Sequence, residues 1–396
     1  LAFDFGALFS SQSQPLLGLD LSSSSVKLVE LSGSATTGYR LERYAIEPLP
    51  KGAITDGNVE NLEAVSEAVK RAWKKSGTKI RNVAMALPSA AVITKKIMLP
   101  GGLSEEALEL QVETEANQYI PFALDEVSLD FSVIGPAPNA PDDVEVLLAA
   151  SRKEKVEDRV AVAQAAALKP VIMDIESFAT RATAERVIKL MPNEGEGQII
   201  ALFSIGAYTT TISATLNGQA IYEREQAFGG AQLTQDIARA YGLSADEAEA
   251  KKRADDLPEN YERDLLQPFA DNIALEVTRA LQFFFTSTPY SRVDQILLAG
   301  GCAVIPGLVD VVGTRTQAST SILNPFKGMD MSAQVREKQA RLDAPSLLVA
   351  TGLAMRRSGP PGGAPQAAAD RILCDGGAGP DLGDRHRVHR RAHHQQ

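Results

Sequence analysis

The sequence predicts an α/β protein made of two related halves, with a third unit inserted into the first. Three observations predict it. Strand-like segments alternate with stretches of helical apolar spacing through both halves. A hairpin with a hydroxyl-rich tip occurs twice, as LLGLDLSSSSVKLVEL at 16–31 and ALFSIGAYTTTISA at 201–214, which points to an internal duplication. Between 94 and 166 the order of elements changes, as expected of an insertion with its own small core.

After an N-terminal extension at 1–15, the first domain (16–93) opens on strands at 16–21 and 26–31. YRLERYAIEPL alternates and reads as a strand; NLEAVSEAVKRAWKKSG has helical spacing, with Gly77 as its stop. NVAMALPSAAVITKKIMLP is again strand-like. The insertion then reads as a helix over SEEALELQVETEANQYI, a break at Ile120-Pro121-Phe122, and a strand near VSLDFSVIG. A Pro-rich turn at 136–141, a strand VEVLLAAS and a helix through KEKVEDRVAVAQAAA complete it. KPVIMDIESFATRATAERVIKL restores the strand-then-helix order of the first domain over 167–192, and MPNEGEGQ links it to the second domain, 197–339. That domain begins with two or three strands turning at Gly206 and Gly218, followed by helices from Gly229 to about Phe285. QILLAGGCAVIPGLVDVV then gives a buried strand, Gly300-Gly301, and a helix entered at Pro306-Gly307. Residues 340–357 return to the first domain; 358–396 show neither period and read as a disordered tail.

Composition removes several function classes. A formal net charge of −10 argues against nonspecific nucleic-acid binding, which needs Lys and Arg to neutralise phosphates. The two cysteines, Cys302 and Cys374, are too far apart in sequence to suggest a zinc site or a disulfide framework, which fits a reducing cytoplasm. No apolar run approaches the roughly 18 residues of a membrane span, and Asp4 sits where a signal peptide carries basic residues. All four histidines, 386, 389, 393 and 394, lie in the tail, so chemistry in the folded body proceeds without histidine.

The two hairpin tips offer clustered backbone N–H groups and short hydroxyl side chains. Such a tip either closes an ordinary hairpin or wraps anionic oxygens as a nest. Gly300-Gly301 after a buried strand lets backbone approach a flat ligand that a Cβ would strike.

Together these segments resemble the superfamily of actin, heat-shock chaperones and sugar kinases, whose members hold ATP in a cleft between two related domains. In that resemblance 16–31 stands as the first phosphate loop, which implies nucleotide contacts for Gly18, Asp20, Ser22, Ser23, Ser24, Ser25 and Lys27. It also implies that Asp20 ligates Mg²⁺ and that Lys27, seven residues on, contacts phosphate. The second hairpin stands as the second phosphate loop, with Ser204, Gly206, Tyr208, Thr209 and Thr210. GGAQLTQDIARAYGLSADEAEAKKRA is similar to the family segment that brings Gly229 and Gly230 to the phosphates and flanks purine and ribose with a Glu and a Lys, here Glu249 and Lys252; an ordinary i,i+3 surface pair is the alternative for those two. The adenosine motif falls on Gly300, Gly301, Cys302 and Pro306. MDIESFATRATAE and LLVATGLAMR resemble the two interdomain connections, and Glu176 takes the place of a residue that orients the attacking water.

GLDLSSSSVKLVEL, EANQYIPFALDEVSLDF, VEVLLAASRKE, FGGAQLTQDI, LQFFFTSTPYSRVDQILLAGG and GLAMR narrow the resemblance to the type IV pilus assembly PilM family, relatives of the division protein FtsA, over residues 15 to 357. It implies an actin-like ATPase fold with an FtsA/PilM-type inserted subdomain. It further implies a cytoplasmic protein held at the inner membrane by its partners and serving pilus biogenesis and twitching motility. The N-terminal cytoplasmic peptide of PilN is the implied ligand, docked between the first domain and the 94–166 insertion, with pilus motor ATPases and self-association as further contacts; the apolar cluster Tyr119, Ile120, Pro121 and Phe122 reads either as core packing or as anchors of that groove. One departure matters. Where relatives read Asp-x-Gly in the second phosphate loop, this chain has Ser204-Ile205-Gly206, and a hydroxyl is a much weaker Mg²⁺ ligand than a carboxylate. Slow or absent ATP turnover is therefore expected. An FtsA-like filament protein and a small-molecule kinase of the same fold are the alternatives; the tail lacks the amphipathic period of the first, and nothing marks an acceptor site for the second.

Overall fold

The computed structural model describes residues 15–356. The predicted tail, with its four histidines and Cys374, lies outside them, as does nearly all of the N-terminal extension. The first domain opens on β1 (Leu17–Leu21), β2 (Ser25–Ser34) and β3 (Gly38–Pro48), a small hairpin of β4 (Ile54–Thr55) and β5 (Asn58–Val59), then α1 (Leu62–Ser76) and β6 (Asn82–Leu87). Asn61 caps α1 by accepting from the Ala64 N–H, and Gly77 ends it in the left-handed conformation at φ 68°, so the predicted stop is where the chain turns. The insertion follows as β7 (Val92–Pro100), α2 (Glu105–Tyr119), β8 (Val127–Ala137) and β9 (Ala140–Arg152). The Pro-rich stretch is not one long turn: both strands run through it and pair down to Ala137 and Ala140, because Pro136 and Pro141 tolerate extended backbone. Then come α3 (Lys153–Ala165), β10 (Lys169–Ile175) and α4 (Glu176–Ile188).

The second domain contains β11 (Ile199–Ile205), β12 (Thr210–Leu216), β13 (Gln219–Gln226), α5 (Ala231–Tyr241), α6 (Ala245–Ala254) and α7 (Gln267–Ser287). It continues with β14 (Gln295–Ala299), α8 (Leu308–Thr316) and β15 (Ser319–Ile322). β16 (Asp330–Met331), α9 (Glu337–Asp343) and α10 (Leu348–Ala354) complete the described chain.

The duplication is explicit in the sheets. The first runs β10-β6-β1-β2-β3-β16 and the second β15-β14-β11-β12-β13, so in each an antiparallel three-strand meander is extended by parallel strands on the side of its first strand. The insertion has its own sheet, β7-β9-β8, with α2 packing Val112 and Ala116 against Ile97, Val146 and Leu148. Two boundaries differ from the sequence reading. α3 packs into the first domain's core through Val156, Val162 and Ala163, and the chain re-enters that domain by Phe326, whose cluster includes Val29, Leu31 and Leu41.

Between the two sheets lie α4 and α10. Ala179 and Leu353 meet the first sheet beside Ala84, Ala86 and Ile172, whereas Ala184, Val187 and Leu348 meet the second beside Ile200, Leu202 and Leu297. The approach is close because side chains are missing at the crossings. A Cβ on Gly352 would lie 2.0 Å from the Ala179 carbonyl oxygen, and one on Gly18 would lie 1.9 Å from that of Ala350. Thr183 Oγ1 donates to the Leu348 carbonyl oxygen at 3.0 Å, and the buried Asp174 carboxylate accepts from Arg356 Nε at 2.6 Å. Gly352→Ala should therefore lower the unfolding free energy by about 1–3 kcal/mol or more, read from denaturation midpoints, since a backbone oxygen cannot swing aside. An unchanged midpoint would mean that the two connections are not locked at this crossing.

Candidate functional site

The first hairpin tip is built around a buried ion pair. Asp20 and Lys27 stand directly opposite each other on β1 and β2. Lys27 Nζ donates to Asp20 Oδ2 and to Ser22 Oγ, both at 3.1 Å, with Asp20 only 5% exposed. Ser22 Oγ in turn donates to the Ser25 carbonyl oxygen at 2.9 Å, and the Leu49 N–H donates to the Ser24 carbonyl oxygen at 2.9 Å. Of the four serines, Ser22 thus closes the turn, Ser25 is buried in β2, and Ser23 and Ser24 form the tip. Gly18 lies within β1, and the close approach it permits is to α10.

The second tip, 206–209, is held by backbone. Gly206 N–H donates to the Thr209 carbonyl oxygen at 2.9 Å, while the Gly206 and Ala207 carbonyls accept from Gly230 and Ala231 at 2.9 and 2.8 Å. Gly229, Gly230 and Gly300 are required by this packing. A Cβ on them would lie 2.5 Å from the Ala207 carbonyl, 2.7 Å from Cys302 Sγ and 2.2 Å from the Ile205 carbonyl, respectively. The close approach that Gly229 and Gly300 permit is to the protein's own backbone, and that of Gly230 is to the Cys302 side chain, so each has a packing reason to be glycine. Gly301 differs, for its Cβ position faces open space. Thr210 is also spoken for, its hydroxyl donating to the Phe228 carbonyl at 2.8 Å, which leaves Tyr208 and Thr209 exposed at the tip. Ser204 lies in β11, opposite Thr211 and beside Ala299.

Glu249 and Lys252 are more than a surface pair. Thr234 Oγ1 donates to Glu249 Oε2 and accepts from Lys252 Nζ, both at 2.7 Å, and Arg253 Nε binds Glu249 Oε1 at 2.7 Å. Burial would raise the Glu249 carboxyl, but the Lys252 charge and these hydrogen bonds outweigh it and bring it down to about 2. Thr234, unmarked in the sequence reading, joins the pair to α5. Cys302 is buried beside the Gly206 carbonyl, and burial pushes its thiol up to about 11, which keeps it protonated and unreactive. Pro306 stands between the short turn at 301–304 and α8.

Glu176 opens α4, where the Ser177 N–H is accepted by Ser89 Oγ at 3.2 Å. Burial raises the Glu176 carboxyl to about 7; Arg159 and Lys27 pull it down, and Asp20 and Glu225 push it up. The structure thus brings Asp20, Lys27 and Glu176 into one electrostatic group and adds two members that sequence reasoning missed. Glu225 comes from β13 of the second domain. Arg159 comes from α3, where a charged residue spaced three after Val156 and four before Ala163 on a buried stripe was the available signal. Among the described residues no group of three His, Cys, Asp or Glu side chains forms a metal cage. Asp20 supplies one carboxylate, which fits the donor set of Mg²⁺, usually completed by phosphate oxygens and water.

The family model described as type IV pilus assembly protein PilM matches residues 18–358. Among solved structures, a PilM-PilN type IV pilus biogenesis complex is similar at 28% identity and a TM-score of 0.70, covering 87% of this chain and 98% of that one. The ethanolamine utilization protein EutJ from Carboxydothermus hydrogenoformans shares the fold at 15% identity and a TM-score of 0.50, with 87% and 92% covered. The fold is that of the actin-like ATPases.

A carboxyl raised from its ordinary 4.5 to about 7 binds its proton more tightly in the folded chain than in the unfolded one. Its stabilising contribution is complete below about pH 4.5 and lost as pH rises through about 7. Glu176→Gln should therefore gain melting temperature relative to the parent between about pH 5 and about pH 8. A difference that stays constant across that range in calorimetric scans would show that Glu176 titrates normally.

Proposed function

Because the chain belongs to the type IV pilus assembly PilM family, we propose that it is a nucleotide-loaded actin-like switch or scaffold of that machinery, binding MgATP between its two domains and the cytoplasmic N-terminal peptide of a PilN-type partner beside its inserted sheet. The observation that carries the nucleotide half is the Asp20–Lys27–Ser22 arrangement at the first tip. It is a cation held by one carboxylate and one hydroxyl, within electrostatic reach of Glu176. Lys27 would offer its charge to a phosphate oxygen, and Asp20 would supply a carboxylate to Mg²⁺. Bound Mg²⁺ and phosphates supply the electrophilic phosphorus and the charge neutralisation that phosphoryl transfer requires. Glu176, ionising near pH 7, is matched to orienting a water and taking its proton. Ser204, uncharged on β11, gives the second half little grip on the metal, so occupancy rather than rapid turnover is the working state.

Support for the partner half comes from the likeness to a solved PilM-PilN complex. The predicted apolar cluster divides: Ile120 is core and Phe122 packs partly inside with Arg152 over its ring at 4.1 Å, whereas Tyr119 remains 40% exposed beneath Lys95. Tyr119 is thus the anchor available to a peptide. Attachment to the inner membrane and contact with pilus motor ATPases follow through such partners; among the described residues no helix is long and apolar enough to cross a membrane.

Lys27→Ala should weaken MgATP binding by about 1.5–3 kcal/mol in titration calorimetry, the usual worth of a hydrogen bond to a charged group. Affinity equal to the parent's would place the nucleotide elsewhere.

A further inference from the structure

Asp174 is fully buried near the end of β10, two residues before Glu176. Its carboxylate is shared between two elements. Oδ2 accepts from Arg356 Nε at 2.6 Å, and Oδ1 accepts from the Ile175 N–H at 2.7 Å. Arg356 is in turn fixed to the last turn of α10, where its own N–H donates to the Leu353 carbonyl oxygen at 3.0 Å. A continuous run of contacts therefore leads from the end of the second connection to the peptide that enters Glu176.

Dehydrating a carboxylate and a guanidinium is costly, and such a pair commonly gains no more than apolar side chains of the same volume would. Stability alone does not account for it. What an apolar pair cannot do is fix direction: a guanidinium N–H and a backbone N–H on the two oxygens of one carboxylate hold its plane, and with it the backbone at 174–175. The junction needs such a restraint. Ile175, the residue before α4, gives the helix no side-chain cap, and the first N–H groups of a helix have no partner within it. That of Ser177 is met by Ser89 Oγ at 3.2 Å. Glu176 thus lies between two held amides, one governed by Arg356 through Asp174 and the other by the short turn that precedes β7.

We propose that Arg356, acting through Asp174, is a positioning residue for Glu176. The ion pair sets the angle at which α4 leaves β10, and with it the place of the Glu176 carboxyl. The role given to Glu176 rests on the nucleotide reading above. Because Arg356 closes α10 and Glu176 opens α4, a movement of the second connection relative to the first reaches the site through this pair.

The test uses the full-length chain carrying Arg356→Met, Arg356→Lys, or Arg356→Met together with Asp174→Asn, which removes both charges. Read on each are the melting temperature, native-state amide exchange at 175–178 against that of β6, and the Glu176 titration by carbon-13 NMR, assigned with Glu176→Gln. Every variant should melt below the parent, which a mere brace would also give. Positioning predicts more. Amides at 175–178 should exchange about tenfold faster than the parent's beyond any change in β6. In the uncharged double variant the Glu176 titration should move from about 7 toward its ordinary 4.5, by about half a pH unit or more, as the carboxyl gains water. Arg356→Lys, which keeps the charge, should recover at least part of the exchange protection, and if the Met-containing chains do not fold, both readings are taken on the Lys variant. Parent-like exchange at 175–178 overturns the proposal, and so does a parent-like Glu176 titration; either result leaves the pair as a brace. Calorimetry of the parent with MgATP is separate: absence of binding there overturns the nucleotide reading, while exchange and titration still decide whether Arg356 positions Glu176.

Discussion

The sandwiching of α4 and α10 between the two sheets is the constraint on which the rest of the structure depends. Each helix is a connection between domains, and each buries one part of its surface against the first sheet and another against the second. Bare backbone at Gly18 and Gly352 sets the spacing, and the Asp174–Arg356 pair closes it from below. With the connections fixed in this way, β1 and β11 each end in a hairpin at the seam between domains. Glu176, the first residue of α4, is delivered to the same place. The site is thus a consequence of how the duplicated halves are joined.

Electrostatics at that seam are unbalanced by design. Burial first, then the Asp20 and Glu225 charges, raise the Glu176 carboxyl to about 7 against the pull of Arg159 and Lys27. A carboxyl so poised responds strongly to added positive charge, and an Mg²⁺ ion would supply it. The second half of the seam contrasts with this. Its loops at 206–209, 228–231 and 300–302 are locked by backbone contacts, and the cluster of Glu249 with Lys252, Arg253 and Thr234 is internally satisfied. The first half therefore supplies charge and the second supplies shape.

Much of this was legible in the sequence because it depends on local pattern. Repeated hairpins with hydroxyl tips gave the duplication, a changed element order marked the insertion, and Gly77 stopped α1 as read. Asp20 and Lys27 were singled out by their seven-residue spacing, but their ion pair was not read; the two strands joined by a tight turn place them opposite each other. What could not be read were contacts between segments distant in the chain. Gly229, Gly230 and Gly300 read as glycines facing a ligand, and only the fold shows the Gly206–Ala207 backbone, Cys302 Sγ and the Ile205 backbone packed against them. Arg159 hides in a helix of modest amphipathicity, where it is buried beside Gly57–Val59, Pro88 and Ala91, residues distant in the chain. The extent of the insertion was overestimated for the same reason, because α3 follows the inserted sheet in sequence but packs on the first domain.

The central claim is that the two halves and the first connection form one ligand site. Hydrogen–deuterium exchange of the full-length chain with and without MgATP tests it most directly. The account predicts that amides at 21–25, 206–210, 229–231 and 300–303 slow together, with the start of α4 following. Protection confined to one hairpin, or no protection in either, would contradict it.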